Sequence, residues 1–405
     1  MSLRYSAFLT GLVLCSATRA QHPVIQSVLD AMRMDSMLHY VNELSGEVPT
    51  QINGSQQTIT SRYKTNAGNV LAQDYLTQKL TQFGYTPVIQ SFSTTGKNIL
   101  VTKPGDGSTN EVVVLCAHYD AMPAGNLNAP AADDDGSGVC ALLEAARILR
   151  DVDFVHPIVF ALWDEEEQGK IGSAYYAAGM AANDALIKAV VNMDAIAYDG
   201  DGDTKARVHV RPIANSLAIA DTVFAVLDHY AIGLDLLNTN PGATYSDHAS
   251  FWNEGYGAVL IIEEFSTDAN PHYHTPTDLV QYFDVPYYDK LARLSIGTLA
   301  TLAIPVEGSV SVLENAGLWE PRMYAYPNPT VADAGLWLEL PNARTVTIDL
   351  YDTMGKHLAS IHKGMMPAGK NGFTLPLANL APGGYVVRAQ AAGKEAVSLR
   401  LVRLP

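Results

Sequence analysis

Three short, almost unbroken apolar runs constrain this chain more than any other feature: residues 112–117, 157–163 and 189–193. Each is far shorter than the ~18 apolar residues of a membrane-spanning helix. None shows the polar alternation of a strand with one wet face, so each reads as a strand covered on both sides. Between and after them lie apolar residues at helical spacing, as in 138–150, 215–230 and 287–303. Buried strands alternating with helices predict an α/β fold, a three-layer sandwich around a mostly parallel sheet, with room for antiparallel strands at its edges.

Around this centre, residues 34–90 read as helical and polar-faced, with an amphipathic run at 70–83 stopped by Gly84. Residues 98–102 and 258–262 read as further strands. After Pro305 the texture changes to short alternating segments such as 345–351 and 385–389, broken by Gly and Pro, which predicts a small C-terminal all-β sandwich. The charge changes with it. Residues 321–405 hold nine basic and five acidic side chains, whereas residues 1–320 hold 17 and 37. The whole chain carries a formal charge of −16, a field that repels phosphate backbones, so no nucleic-acid partner is expected.

Residues 1–20 read as a secretory signal, with Arg4 ahead of an apolar run at 8–14 and the small residues Thr18 and Ala20 around a cleavage site. The expected division is a signal at 1–20, a main domain at 21–305, a linker at 306–321 and the sandwich at 322–405. Cleavage leaves Cys116 and Cys140, both in apolar surroundings, which read as inert thiols rather than a bonded pair.

In parallel sheets, working side chains gather just past the carboxyl ends of strands. The first run leads into His118-Tyr119-Asp120, the second into Asp164-Glu165-Glu166-Glu167, the third into Asp194, and Asp133-Asp134-Asp135-Gly136-Ser137-Gly138 opens the helix at 138–150. Each alone fits a solvated acidic loop or an ordinary histidine. Together they set imidazole and carboxylate around the strand ends of one sheet, a donor mixture suited to zinc, and a divalent cation explains why carboxylates that repel one another are crowded there.

Six ordered motifs over about residues 44–303 carry a family resemblance: His118-Tyr119-Asp120, the run from Ala129 to Gly138, Glu166-Glu167-Gln168-Gly169, Asn192-Met193-Asp194, Ser246-Asp247-His248, and His274-Thr275-Pro276-Thr277-Asp278. The chain resembles the co-catalytic zinc exopeptidases typified by secreted bacterial leucyl aminopeptidases. That resemblance implies two zinc ions per chain, one held by His118 and Asp194, the other by Glu167 and His274, with Asp134 bridging them. It makes Glu166 the general base, sets Asp120 beside His118 to fix its tautomer, and implies a cis peptide after Asp134. The implied activity is a metallo-aminopeptidase that removes an apolar or aromatic N-terminal residue from peptides, acting as a monomer. Tyr245, Ile262, Phe265 and Tyr273 are candidate pocket walls.

Some residues depart from the family pattern or compete with this reading. Ala131 stands where relatives often have Gly, and Ala243 and Tyr245 occupy the region where some relatives carry a Cys pair. His248 reads as a structural or wall residue, and His272 has no motif support. Ser246 lacks a nucleophile elbow, and consecutive Ser-Asp-His residues rarely converge into a triad. The rival readings are a glutaminyl-cyclase-like single-zinc acyltransferase of the same fold and a catalytically inactive surface-binding protein. The tail has its own resemblance: Tyr326-Pro327-Asn328-Pro329, residues 348–356 and residues 380–387 are similar to the C-terminal sorting domain of type IX secretion substrates. This implies export through the periplasm to the cell surface or medium, with the secretion machinery as a partner.

Overall fold

The computed structural model describes residues 21–125, 128–306, 322–340, 343–391 and 397–404. The signal read at 1–20 and the linker beyond Val306 lie outside the described residues. Helices α1 (Pro23–Asp30) and α2 (Met34–Leu44) lead to a small hairpin of β1 (Thr50–Ile52) and β2 (Ser55–Gln57), then to α3 (Ala67–Gln82). There follow β3 (Val88–Ser91), β4 (Lys97–Lys103), β5 (Val112–His118), α4 (Gly136–Leu149), β6 (Ile158–Trp163), α5 (Ile171–Ala182) and β7 (Ile187–Met193). β8 (Lys205–His209), α6 (Ser216–His229), β9 (Asp235–Thr239), α7 (His248–Asn253), β10 (Ala258–Glu263) and α8 (Val285–Ala303) complete the body.

The body is built on an eight-stranded sheet in the order β3-β4-β6-β5-β7-β10-β8-β9. Its middle is parallel, β6 with β5, β5 with β7, and β7 with β10. β4 joins β6, and β8 joins β10, in antiparallel register, so reversed strands flank the parallel centre. Leu115, Phe160, Val191 and Leu260 are each 0% exposed, and burying one such side chain contributes roughly 1.5–3 kcal/mol. One apolar cluster packs α1, α2, α3, α4, α6 and α8 on one face, and a second packs α5 and α7 on the other. That makes the three layers.

The expectations for strands 112–117, 157–163, 189–193 and 258–262 agree with the structure within two residues at each end. The helical reading of 34–90 holds for α2 and α3, but the hairpin and β3 interrupt it. β8, β9 and α5 had no counterpart in the sequence reading. Cys116 and Cys140 are free and buried. Among the described residues no helix is long and apolar enough to cross a membrane.

Among the described residues the tail forms β11 (Arg322–Tyr326), β12 (Ala334–Leu340), β13 (Arg344–Asp352), β14 (His357–Met366), β15 (Gly369–Leu375), β16 (Gly383–Ala391) and β17 (Val397–Arg403). They form two antiparallel sheets, β11-β12-β15 and β14-β13-β16-β17, which enclose a separate apolar cluster that includes Leu336, Ile348 and Val387. β12 alternates buried and partly exposed residues along its whole length, the pattern of a sheet with one face on a core. The Tyr326 hydroxyl donates to the Phe283 carbonyl of the body at 2.6 Å.

Candidate metal centre and peptidase site

The parallel strands β5, β6, β7 and β10 all end at the same edge of the sheet, and their ends supply most of the candidate residues. His118 is the last residue of β5, Asp194 follows β7 directly, and Glu166 and Glu167 lie in the turn after β6. Asp134 comes from the loop before α4 and His274 from the segment after β10. The structure brings these six together.

The geometry centres on Asp134. Its Oδ1 lies 3.1 Å from His118 Nε2, and its Oδ2 lies 3.0 Å from His274 Nε2, so two imidazoles approach opposite oxygens of one carboxylate. Asp194 Oδ1 is 3.7 Å from His118 Nε2, and Glu167 Oε2 is 2.9 Å from His274 Nε2. Two groups of ligand atoms lie mutually within 4.8 Å: His118 with Asp135 and Asp194, and Asp134 with Glu167 and His274. Asp135 belongs to the first group by distance, but its oxygens already accept the backbone N–H groups of Gly138 (3.0 Å), Ala195 (3.2 Å) and His118 (3.1 Å). It ties the start of α4 to the ends of β5 and β7, whereas both oxygens of Asp134 face imidazole nitrogens, which makes Asp134 the better candidate of the two for a cation.

The loop carrying Asp134 is fixed from several directions. The Asp134–Asp135 peptide is cis. Asp278 accepts the backbone N–H groups of Asp133 and Asp134 at 3.0 and 3.1 Å, which gives the last residue of the sixth motif a role its motif alone did not state. Arg62 is fully buried and donates to the carbonyls of Tyr119, Leu44, Pro130 and Ala131, joining the segment after β5 to the loop before α4. Nothing in its sequence context singled it out, because its partners are backbone oxygens from distant segments.

Asp120 lies 3.5 Å from His118 Nδ1, a nitrogen that forms no hydrogen bond, while its two oxygens accept the N–H groups of Glu166 (3.0 Å) and Glu167 (3.2 Å). The same carboxylate therefore sits beside one imidazole and orients the two glutamates. Glu166 is 8% exposed. Burial raises its pKa well above the ordinary range, against the attraction of His118, and the nearby Asp247, Asp194 and Asp120 raise it further. Burial and then Asp134 push the Glu167 carboxyl up to about 7. For Asp134 burial acts upward too, but His118 and His274 outweigh it and hold this carboxyl below the usual range. Burial lowers the His274 imidazole, yet Asp134 and Glu167 carry it up to about 10.

These carboxylates act as a sink for positive charge, and they bear on whether a metal fits. Asp134 Oδ2, Glu167 Oε1 and His274 Nε2 are buried without a hydrogen-bond partner. Orphaned buried acceptors beside imidazole nitrogens, in a nitrogen and oxygen donor set, are what a divalent cation such as zinc satisfies. The residues fit the group.

The remaining histidines and aromatics sort clearly. His248 is buried and its Nε2 lies 2.9 Å from the Ala243 carbonyl, away from the donor set, while Ser246 accepts from Asn192 at 2.7 Å. Ser246, Asp247 and His248 therefore form no relay. His272 stacks on Tyr282 at 3.6 Å. Tyr273 stacks on His274 at 3.7 Å, with Phe265 edge-on to it at 5.2 Å, and Tyr245 is half exposed, whereas Ile262 is 2% exposed within β10. A third acidic group, Asp199, Asp201 and Asp203, is engaged within its own loop: Asp199 accepts two backbone N–H groups, Asp201 and Asp203 one each, and Asp203 also pairs with the Lys205 ammonium.

Residues 98–299 match peptidase family M28, and residues 324–402 match the secretion system C-terminal sorting domain. Leucine aminopeptidase 1 of Trichophyton equinum is 31% identical over 218 residues, which covers 51% of this chain and 58% of that protein. The chain thus spans less than two thirds of the length of that curated relative. The LapA aminopeptidase of Legionella pneumophila superposes with a TM-score of 0.62 at 22% identity, covering 71% of this chain and 77% of the other. Glutaminyl cyclase of Porphyromonas gingivalis superposes with a TM-score of 0.56 at 20% identity, covering 67% of this chain and 99% of the other. These two likenesses are of fold.

Proposed function

The body of this chain belongs to peptidase family M28 and its tail is a C-terminal sorting domain, and from that premise we propose that it is an exported zinc aminopeptidase that hydrolyses the N-terminal peptide bond of its substrates. One observation carries the reading: His118 and His274 approach opposite oxygens of Asp134 at 3.1 and 3.0 Å, with Asp194 and Glu167 flanking them. In the proposed roles His118 and Asp194 would hold one zinc, Glu167 and His274 would hold the other, and Asp134 would serve as a ligand shared by both. When bound, such a pair lowers the pKa of a water and polarises the scissile carbonyl.

The chain's own residues do the rest. Glu166 takes the proton of the attacking water and delivers it to the leaving amine, a task that suits a buried carboxyl whose pKa lies above the ordinary range. Asp120 accepts the backbone N–H groups of Glu166 and Glu167 and so holds both glutamates in place, Glu166 for proton transfer and Glu167 as the residue that would bind metal. The carboxylates attract the substrate's free α-amine, which an acetylated chain end cannot offer. Tyr273 stacks on His274 with Phe265 against it, and these rings beside the donor set support a preference for apolar or aromatic N-terminal residues. The expected working division is a signal at 1–20, a catalytic domain at 21–305, a linker at 306–321 and a sorting domain at 322–405, the last directing passage through the periplasm to the surface or medium.

The test is to assay the full chain against aminoacyl amides, their acetylated counterparts and glutaminyl peptides, while counting bound zinc. Release of free N-terminal residues, none from acetylated substrates, and two zinc ions per chain support the reading. Cyclisation of glutaminyl peptides with one zinc would replace it with the acyltransferase. Equal rates on acetylated peptides would make it an endopeptidase.

A further inference from the structure

The segment 240–247 crosses from the end of β9 to α7 beside the metal centre, and two histidines without a part in the proposed chemistry grip it. His209, the last residue of β8, accepts the Ala243 backbone N–H at Nδ1 (3.0 Å), and its Nε2 lies 2.9 Å from the Tyr245 hydroxyl. His248 holds the Ala243 carbonyl at 2.9 Å, and Arg211 donates to the Gly242 carbonyl at 2.7 Å. The N–H and C=O of one residue, Ala243, are thus each held by an imidazole, and the carbonyl of the residue before it by a guanidinium.

The tautomer follows from these partners. An Nδ1 that accepts an N–H carries no proton, so the proton of a neutral His209 sits on Nε2 and the Tyr245 oxygen must accept it. His209 is neutral near pH 7, because burial, and then Arg207, push its pKa down to about 4. With its oxygen engaged from behind, Tyr245 keeps its hydroxyl hydrogen to donate elsewhere. The ring is 49% exposed although its anchor is 5% exposed, and the next residue, Ser246, accepts from Asn192 two residues before Asp194, so the tyrosine stands on a rigid backing next to the metal centre. The two rings meet edge to face at 5.4 Å, which holds the tyrosine in orientation as well as in place.

We propose that His209 is a positioning residue for substrate binding: it fixes Tyr245 as an oriented aromatic wall with one free hydrogen-bond donor, so that the ring packs on an apolar N-terminal side chain and the hydroxyl holds an acceptor of the bound peptide. The proposal rests on the aminopeptidase reading for its substrate and on hydrogen bonding alone for the clamp.

Three variants and one spectrum test it. His209→Asn keeps an acceptor for the Ala243 N–H but is too short to reach the phenol, and Tyr245→Phe removes the phenol from the other side. Each should raise KM for leucyl and phenylalanyl amides about threefold to tenfold, the worth of one hydrogen bond, with kcat and zinc content held. The double variant should do no worse than either single, because both break the same bond. Additive losses, or KM unchanged in both singles, would overturn the proposal. Nitrogen NMR of histidine-labelled full chain should show His209 protonated at Nε2, with that resonance displaced in Tyr245→Phe. A chain inactive on every aminoacyl amide that still shows this tautomer would remove the aminopeptidase reading and leave the clamp standing; an Nδ1–H tautomer would remove the clamp whatever the activity.

Discussion

The body and the tail of this chain both bury strands, but they do so in opposite ways. Every residue of β6 and β10 is buried, with helices over both faces, whereas β12 and much of β13 bury alternate residues against one core. The consequence shows at the strand ends. In the body, side chains past the strands converge at one edge in a low-dielectric setting, and buried carboxylates gather there beside His118. In the tail no Asp or Glu is buried among the described residues, and β12, β14 and β15 end on the buried apolar residues Leu340, Met366 and Leu375. A sheet covered on both faces has only its edges free for chemistry, and a sandwich spends its interior on packing alone.

The sharpest way to break this comparison is to change the edge itself. Asp134→Ala should abolish turnover together with zinc binding, since two imidazoles lose the carboxylate between them. Glu166→Ala should cost about 10²- to 10⁴-fold in kcat with zinc retained, the effect of a positioned general base. Zinc should then raise the melting temperature of the Glu166 variant much more than that of the Asp134 variant, because only an ion that binds the folded chain stabilises it. Equal zinc content and equal melting shifts in the two variants would reverse the roles assigned here. Next in size come the cores. Leu115→Ala in β5 and Leu338→Ala in β12 each empty a fully buried site and should each cost about 2–5 kcal/mol, read as separate losses in denaturant unfolding. Turnover should fall with the first and hold with the second.

The same contrast explains what could be read from the chain without its structure. β5, β6 and β7 were legible because a strand covered on both faces writes itself as a continuous apolar run. β8, with Lys205 and Arg207 among its five residues, has no such signature, and α5, rich in alanine and glycine, has no clear apolar stripe. At the site, the residues offered as metal ligands stood out because imidazole and carboxylate past a strand are chemically conspicuous. Arg62 and His209 did not, and Asp278 stood in a motif that gave it no role. They act on backbone N–H and C=O groups up to 145 residues away, and a backbone group is the same at every position, so no local pattern marks the residue that will meet it.

Removing the tail sharpens the comparison further. The last proposed ligand is His274, and α8 closes the main core at Ala303, so a chain ending near Pro305 should keep both zinc content and turnover. Loss of turnover in such a chain, with zinc and folding intact, would mean that the tail supports the site.

The smallest expected effect probes the seam between the two parts. The body and tail meet around Tyr326, whose ring packs on the main core and whose hydroxyl donates to the Phe283 carbonyl at 2.6 Å. Beside it runs a groove of about 210 Å³ lined by Met32, Met34, Val285, Met323, Tyr324 and Lys370, which contains none of the candidate ligands. A seam with a cavity in it is not packed like a core, and one hydrogen bond contributes about 0.5–1.5 kcal/mol net. Tyr326→Phe keeps the ring and removes only that bond, so it should lower the coupling between body and tail unfolding by about 1 kcal/mol and leave kcat and KM unchanged. The measurement is calorimetry of the full chain, where the two unfolding transitions should move apart in the variant. If they stay together and the melting temperature drops by as much as for Leu338→Ala, body and tail form one cooperative unit and the contrast drawn between them fails.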